Sequence, residues 1–384
     1  MSEPPNEWPG GEPFPGSVPG EGSGPGGTID SGTRTEAGRA VRRNRRARHR
    51  RRRLVAVIGA VVVLIIVAFG LWYEVESHGS GSAGPREIIN VQSGDSVGSV
   101  LSKLSADHVI SSSLAFRVYD LVHGSPTILP GHYLLHQNQG FSQVHAILDS
   151  GPNILAVTVD PGLTLHEVAE RVDGLPGHST GEFAKVAASG VVHSMFSPPG
   201  SDNLEGLLGP GNYLVAPGES DTTLLTAMVH QFDAQATKAG LSTGSASALG
   251  LTPYQVITAA SIVEKEGYIP KNMPQVARVI YNRLAAATPL QMNATVLYSL
   301  GQDGGPVTSA DLKLQTPYNT YLNLGLTPTP ICSPSAGALS AAVHPPAGAW
   351  MFFVVVKKDG TEAFSDTFAE QLANEKLAQQ RGVG

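Results

Sequence analysis

Two glutamates near the end of an apolar segment are the residues of this sequence best suited to chemistry. In "ASIVEKEGYIP" (residues 260–270), Glu264 and Glu266 end an almost wholly apolar run, and Gly267 follows directly. The run predicts a helix, on which residues two apart point about 200° away from each other. The two carboxyls therefore cannot share one site, and at most one of them acts on a given substrate group.

The position of Glu266 favours a general acid. Val263 and Ile262 lie three and four positions before it, so it emerges on the more apolar face, and Gly267 is typical of a helix end. Desolvation and the negative end of the helix dipole both disfavour a charged carboxyl, so we expect a raised pKa for Glu266. A carboxyl that stays protonated near neutral pH can protonate a glycosidic oxygen. A surface carboxylate at a frayed helix end is the alternative.

The second carboxyl, Glu264, is expected to support the site from behind rather than to act on substrate. Its other expected role is an ion pair with Arg278 or Arg283, which lie in the next predicted helix. An ordinary glycosidase needs two carboxyls in one site. This segment can supply only one of its two glutamates to any single site.

The elements that position these residues form a predicted mixed α/β domain over residues 250–384. Thr252 is a candidate N-cap with Pro253 at the first helical position, and the helix that follows has almost no polar face, which predicts burial. "MPQVARVIYNRLAAA" predicts a second, amphipathic helix. "GAWMFFVVVKKDGTEAFS" predicts a strand pair across a turn, before a last helix.

Two smaller α+β units are predicted upstream, over residues 87–152 and 153–249. Both read as strand, turn and helix, and "LPGHYLLHQN" in the first is similar in form to "GPGNYLVAPG" in the second. The pattern indicates a loose internal duplication. We interpret these units as binding or spacing modules.

The N-terminal residues predict a membrane anchor. Residues 1–38 are rich in Gly, Pro and Ser and predict a disordered tail, and residues 39–53 contain ten arginines and no acidic residue. Residues 54–73 carry no charge and would span about 30 Å as a helix, which fits one membrane crossing. Residues 74–86 predict a flexible linker.

The charge distribution predicts the orientation of this anchor. The arginines before the span place the N-terminus in the cytoplasm and the catalytic domain outside, at the plasma membrane, and we expect them to contact lipid headgroups. The rest of the chain is net acidic, which argues against nucleic acid as a partner. A cleaved signal peptide is the alternative, but its apolar region is usually shorter.

The sequence offers no sign of a cofactor. Cys332 is the one cysteine, so no internal disulfide can form, and no spacing of His, Cys and Asp suggests a metal site. "GSGSAG" is a linker rather than a phosphate-binding loop.

Five motifs occur in one order along the C-terminal half: "ASIVEKEG", "VIYNRL", "LQMNATVLYSLG", "PYNTYLNLGLTPTPICSPS" and "AAVHP". In order and spacing they resemble the endolytic murein transglycosylase family (MltG, or YceG-like), and the resemblance extends loosely back to Glu87. It implies that Glu266 is the catalytic glutamate and that residues 87–152 form a LysM-like module.

The resemblance also implies which residues contact the glycan. Candidates in the motif segments are Gln291, Asn293, Tyr318, Asn319 and Tyr321. The last three could equally form turn hydrogen bonds. The chain departs from the family pattern at Asn293 and Ala294, where many relatives have Asp-Pro, and at Glu362, where relatives often have histidine. Both departures bear on glycan contacts or rate and leave the acid in place.

The expected activity is endolytic cleavage of the bond between N-acetylmuramic acid and N-acetylglucosamine in nascent peptidoglycan, leaving 1,6-anhydro ends. Expected partners are glycan strands and the plasma membrane, with peptidoglycan synthases or division proteins as candidates. Two alternatives remain: a glycan hydrolase that uses water, and a non-catalytic peptidoglycan-binding scaffold.

Overall fold

The computed structural model describes residues 33–78, 82–267 and 269–383. Most of the predicted tail, residues 1–32, lies outside the described residues. The chain divides into one unit up to Glu74 and a second from Val75 onward, and each is described by itself.

A single long helix, α1, makes up the described part of the first unit and ends at His78, a few residues beyond the predicted end of the span. Its bounds are Thr33–His78. Within the described residues, its segment Arg48–His78 is the one helix that is long and apolar enough to cross a membrane. The apolar side chains from Leu54 to Leu71 are largely exposed, as expected for a helix whose neighbours are lipids.

The second unit begins with a small α+β module. Its elements are β1 (Arg86–Val91), α2 (Val97–Ala106), α3 (Ser113–His123), β2 (Gly131–His136) and α4 (Phe141–Ser150). The strands β1 and β2 pair antiparallel, with Ile89 opposite Tyr133. Both of these side chains are buried, together with Leu101 and Phe116 from the two intervening helices.

The next elements repeat this order. They are β3 (Leu155–Val159), α5 (Leu165–Asp173), α6 (Glu182–Ala187) and β4 (Gly211–Val215), followed by α7 (Asp221–Lys238) and α8 (Thr243–Ala248). The β3 and β4 strands are again antiparallel. The Tyr133 hydroxyl donates to the carbonyl of Leu129 at 2.7 Å, and Tyr213 donates to Gly209 at 2.5 Å. The same tyrosine contact, four residues back in each case, supports the predicted duplication.

The C-terminal part is built around a buried helix. Its elements are α9 (Pro253–Glu266), α10 (Met273–Ala285), α11 (Asn293–Ser299), α12 (Ala336–Val343), β5 (Phe352–Val355), β6 (Glu362–Ser365) and α13 (Phe368–Gln380). Thr252 caps α9, accepting from the Gln255 N–H while the Gln255 side chain accepts from the Thr252 N–H. Every residue from Val256 to Val263 is buried, so the predicted burial of this helix is confirmed.

One hydrophobic core crosses the predicted boundary at residue 250. It joins Val157 and Phe183 from the second predicted unit to Ile257 of α9 and Leu339 of α12. The predicted mixed α+β class is confirmed. The packing also shows that residues 153–249 are the direct support of α9 rather than a detached spacer.

Candidate active site

The last residue of α9 is Glu266, and Gly267 ends the helix. A side chain at Gly267 would place its Cβ 2.8 Å from Met273 Cγ and 2.9 Å from the Val263 carbonyl. Only glycine fits so close an approach, and this allows the chain to leave α9 immediately after the carboxyl. Glu266 is therefore held at the tip of a rigid, buried helix.

The Glu266 carboxyl lies in a largely desolvated environment. Burial raises its pKa, and a 2.8 Å hydrogen bond from the Ala294 N–H to its Oε1 opposes that shift. The direction agrees with the expectation from its apolar neighbours. The Ala294 N–H belongs to the first turn of α11, so this bond also fixes where the carboxyl points.

A cavity of about 370 Å³ opens beside Glu266. Its lining comes from the start of α5, the loop before β4, the end of α9, the helix α11 and the loop after it: Thr164, His166, Glu167, Glu205, Lys265, Glu266, Asn293, Ala294, Leu297, Tyr298, Gly301, Gln302, Asp303, Gly304 and Ile331. Lys265 and Asp303 form an ion pair in this lining. The region predicted to hold only binding or spacing modules thus supplies part of the wall.

Three further carboxyl residues line the same cavity, Glu167, Glu205 and Asp303, and the sequence analysis missed the buried one, Glu205. Only 6% of the surface of Glu205 is exposed. Its Oε1 accepts from the Leu165 N–H at 3.0 Å and its Oε2 from the Tyr298 hydroxyl at 3.2 Å. Burial raises the pKa of Glu205 to about 7, and these hydrogen bonds oppose the shift. The signal was one charged residue inside the apolar run "LEGLLG", residues 204–209, whose leucines are all buried.

Two of the predicted glycan contacts meet next to Glu266. Asn293 lines the cavity, and its Oδ1 accepts from the Tyr321 hydroxyl at 2.7 Å. Burial raises the pKa of Tyr321, and the negative charge of Glu266 adds to that shift. The Asn293 amide group is thereby oriented at the cavity wall, where a sugar hydroxyl or acetamido group could bond to it.

The other three candidates, like Tyr321, lie outside the cavity lining. Gln291 is exposed and its side-chain oxygen accepts from Arg283 at 3.4 Å. Tyr318 packs on Tyr298 with ring centroids 4.9 Å apart, so it supports the wall from behind. Asn319 is fully buried and donates to the carbonyls of Leu312 and Leu314. These are the turn hydrogen bonds of the alternative expectation.

Glu264 lies away from the cavity. Its Oε2 accepts from the Ser335 N–H at 2.8 Å, and Ser335 is the N-cap of α12. The ion-pair alternative is corrected: Arg278 donates to the carbonyls of Pro345 and Pro346, and Arg283 donates mainly to backbone carbonyls. Glu264 instead ties the end of α9 to the start of α12.

The described residues contain no group of three or more His, Cys, Asp or Glu side chains that could hold a metal ion. Cys332 is buried as a free thiol, and burial raises its pKa well above the usual value. The side chains that line the cavity carry carboxyl, amide, imidazole, hydroxyl and ammonium groups.

Gly206, next to Glu205, provides a test of how tightly this wall is built. Its φ is +73°, and a Cβ there would lie 2.2 Å from Pro330 Cβ and 2.9 Å from the Cys332 carbonyl. We expect Gly206→Ala to lower the free energy of unfolding by about 2–4 kcal/mol, combining backbone strain with overpacking. Chemical denaturation of the two proteins measures the difference.

Gly218→Ala is the matched control for this substitution. Gly218 has nearly the same φ, +72°, but a Cβ there meets nothing within 4 Å. It should cost only the backbone term, about 1 kcal/mol. Equal losses for the two variants would show that the wall around Gly206 yields easily.

Residues 89–377 match the model of the YceG-like family. A Bacillus subtilis (strain 168) protein named endolytic murein transglycosylase is 29% identical over 300 residues, covering 73% of this chain and 82% of that protein. One of the same name from Streptococcus pneumoniae (strain R6) is 26% identical over 325 residues, and the match covers 76% of this chain and 58% of that protein.

A solved structure agrees with these matches. The crystal structure of a YceG-like protein from Listeria monocytogenes superposes with a TM-score of 0.50 at 26% identity, covering 76% of this chain and 99% of that one. The family match spans well over half of the sequence and includes every residue of the cavity. The chain therefore belongs to the YceG-like family.

Proposed function

We propose that this protein is a membrane-anchored lytic transglycosylase that cleaves the bond between N-acetylmuramic acid and N-acetylglucosamine within peptidoglycan strands. The observation that carries the proposal is a desolvated carboxyl with a raised pKa, Glu266, facing a cavity of about 370 Å³. This is also the glutamate that the sequence resemblance assigned as the acid. The names of the B. subtilis and S. pneumoniae relatives support the substrate class.

The reaction needs one proton to move out and back. Glu266 donates its proton to the glycosidic oxygen as the bond from C1 of the muramoyl residue to that oxygen breaks. The leaving N-acetylglucosamine keeps the proton as a hydroxyl. The muramoyl C6 hydroxyl then bonds to C1, and its proton returns to the Glu266 carboxylate. The product is a 1,6-anhydro ring, and no water is consumed.

An internal nucleophile explains why no activated water is needed. The C6 hydroxyl belongs to the same sugar as C1, so its effective concentration is high once the ring adopts the right shape. The protein must then hold the sugar and supply the acid. Asn293, Gln302 and His166 in the cavity lining are the polar side chains that we assign to sugar binding.

We infer that α1 crosses the plasma membrane once, with the N-terminus in the cytoplasm and the catalytic residues outside. The support is the apolar segment of α1, preceded by the arginine-rich residues 39–53. Anchoring would keep the site close to the membrane, where strands are made. Nascent glycan is therefore the proposed substrate. Peptidoglycan synthases or division proteins are the proposed protein partners.

This orientation predicts a protease pattern. When protease is added to wall-stripped cells that carry an N-terminally tagged full chain, we expect the tag to survive on a small fragment. The part after the span should be degraded. Complete protection of the chain, or loss of the tag from intact cells, would contradict the orientation. A cytoplasmic protein that stays intact serves as the control for membrane integrity.

We also propose that residues 87–152 form a LysM-like module that binds glycan. Residues 250–384, supported by residues 153–249, form the catalytic domain in this proposal. The strand–helix–helix–strand order of the first module supports this division.

Product analysis tests the proposed activity. The full chain in detergent is incubated with purified peptidoglycan, and the masses of the soluble products are determined by mass spectrometry. We expect muramoyl ends lighter by one water than reducing ends. Reducing ends alone would indicate a hydrolase that uses water, and binding without any product would indicate a scaffold.

A further inference from the structure

The proposed reaction uses Glu266 alone, yet the buried carboxyl of Glu205 lines the same cavity. We propose that Glu205 is a second catalytic residue: as a carboxylate it faces C1 of the bound muramoyl residue and stabilises the positive charge that develops there. This inference rests on the proposed function. It forms and breaks no bond, so the proton balance of the reaction is unchanged.

The helix α11 places the two carboxyls on one wall. Its Ala294 N–H binds Glu266, and its Tyr298 hydroxyl binds Glu205. Ala294 and Tyr298 are four residues apart, about 6 Å along the helix axis. One turn of one helix therefore holds both carboxyls, and both residues line the same cavity.

The hydrogen bonds favour different protonation states for the two carboxyls. Glu205 accepts from the Leu165 N–H and the Tyr298 hydroxyl, one on each oxygen, and donors on both oxygens favour the ionised form. Among the described residues, Glu266 accepts one hydrogen bond, on Oε1. Its second oxygen is then the one that can carry the proton into the cavity.

The surroundings of Glu205 agree with this division. Burial raises its pKa to about 7, so a large share of it ionises near neutral pH, and burial raises the pKa of Glu266 as well. The titratable groups that face Glu205 come from α5, α9, α11 and the loop before α12: Glu167, Tyr254, Tyr298 and Cys332. In glycosidases with two carboxyls, the surroundings of each carboxyl decide which one is the acid and which one stabilises charge.

A carboxylate in this position has a clear chemical task. Breaking the glycosidic bond leaves positive charge on C1 and the ring oxygen before the C6 hydroxyl has bonded. A fixed negative group in a partly dry cavity stabilises that charge without reorganising, and a group of this kind contributes about 100-fold to 1,000-fold in rate.

The test compares Glu205→Gln with the wild-type full chain across pH, with anhydro-muramoyl product as the readout. Gln imitates the protonated acid, so it can keep bonds to Leu165 and Tyr298 and fold normally. We expect kcat to fall about 100-fold above pH 7, with KM little changed, and the two proteins to converge near pH 5. The matched control is Glu182→Gln, which changes an exposed residue of α6 outside the cavity lining.

Tyr298→Phe provides a second variant whose effect a merely structural role would not produce. It removes one donor to the ionised form of Glu205, and that hydrogen bond lowers the pKa of Glu205. The rising limb of the wild-type pH–rate profile, near pH 7, should therefore move to higher pH in this variant. Its rate well above that limb should recover toward the wild-type value.

Three outcomes would overturn the inference. Wild-type kcat in Glu205→Gln at pH 8, with Glu266→Gln inactive, removes Glu205 from catalysis and leaves the proposed function intact. If the rising limb of the pH–rate profile keeps its position in both Glu205→Gln and Tyr298→Phe, a group other than Glu205 produces that limb. If the wild-type chain itself makes no anhydro product, the proposed function fails, and the inference fails with it.

Discussion

Glu266→Gln is expected to lower the rate of anhydro-muramoyl formation by about 100-fold to 10,000-fold, the usual contribution of a general acid. The amide cannot donate its proton to a glycosidic oxygen. Its oxygen can still accept from the Ala294 N–H, which the carboxyl does at 2.8 Å, so the local structure should be kept. The loss should appear in kcat rather than in KM, because the proton is transferred only in the transition state.

The comparison needs protein that is folded and a substrate that is still bound. Thermal unfolding of Glu266→Gln should match the wild type or exceed it, since a costly buried carboxyl is replaced by a neutral group. Binding of the variant to insoluble peptidoglycan should be unchanged. Anhydro ends made equally fast by the variant and the wild type would remove Glu266 from its role, whatever the cavity looks like.

Local sequence patterns were enough to locate Glu266. The cap at Thr252, the apolar run and the glycine after Glu266 all act within α9, so they could be read without tertiary information. The desolvation of the carboxyl also followed from near neighbours, because the residues one turn back on a helix define its face. Here, a helix-end carboxyl on an apolar face was correctly expected to have a raised pKa.

Glu205 could not be found in this way. It lies far from Glu266 in the sequence, and only the packing of the second α+β unit against α9 brings the two to one cavity. The same packing gives the cavity its wall from α5. A sequence pattern reports which face of an element is buried, but it does not report which other element covers that face.

The predicted glycan-contact residues differ in how local their hydrogen bonds are. Asn293 and Tyr321 bond to each other across 28 residues and reach the site, which no local rule predicts. Asn319 sits in a loop rich in Thr, Asn and Pro, where an amide often satisfies backbone carbonyls of its own turn. Its bonds to Leu312 and Leu314 follow that local preference.

Two of the carboxyls that line the cavity, Glu205 and Glu266, make the stability of the protein depend on pH. Burial makes each of them costly to ionise. Glu205 allows the cost to be measured, because its pKa moves from 4.5 to about 7 on folding. An acid with a raised pKa binds its proton more tightly in the folded state. Its contribution to stability is fully present below pH 4.5 and is lost as pH rises through about 7.

The wild-type chain should therefore lose about 3 kcal/mol of unfolding free energy relative to Glu205→Gln between pH 4.5 and pH 8. Glu266 acts in the same direction in both proteins and cancels in the difference. Chemical denaturation of the two full chains in detergent, at pH 4.5 and pH 8, measures this quantity. Glu182→Gln should track the wild type at both pH values, since its carboxyl is exposed. A difference between wild type and Glu205→Gln that stays constant with pH would mean that Glu205 is as well solvated in the folded protein as in the unfolded chain. A carboxyl so solvated would not be the enclosed group that the bonds from Leu165 and Tyr298 describe.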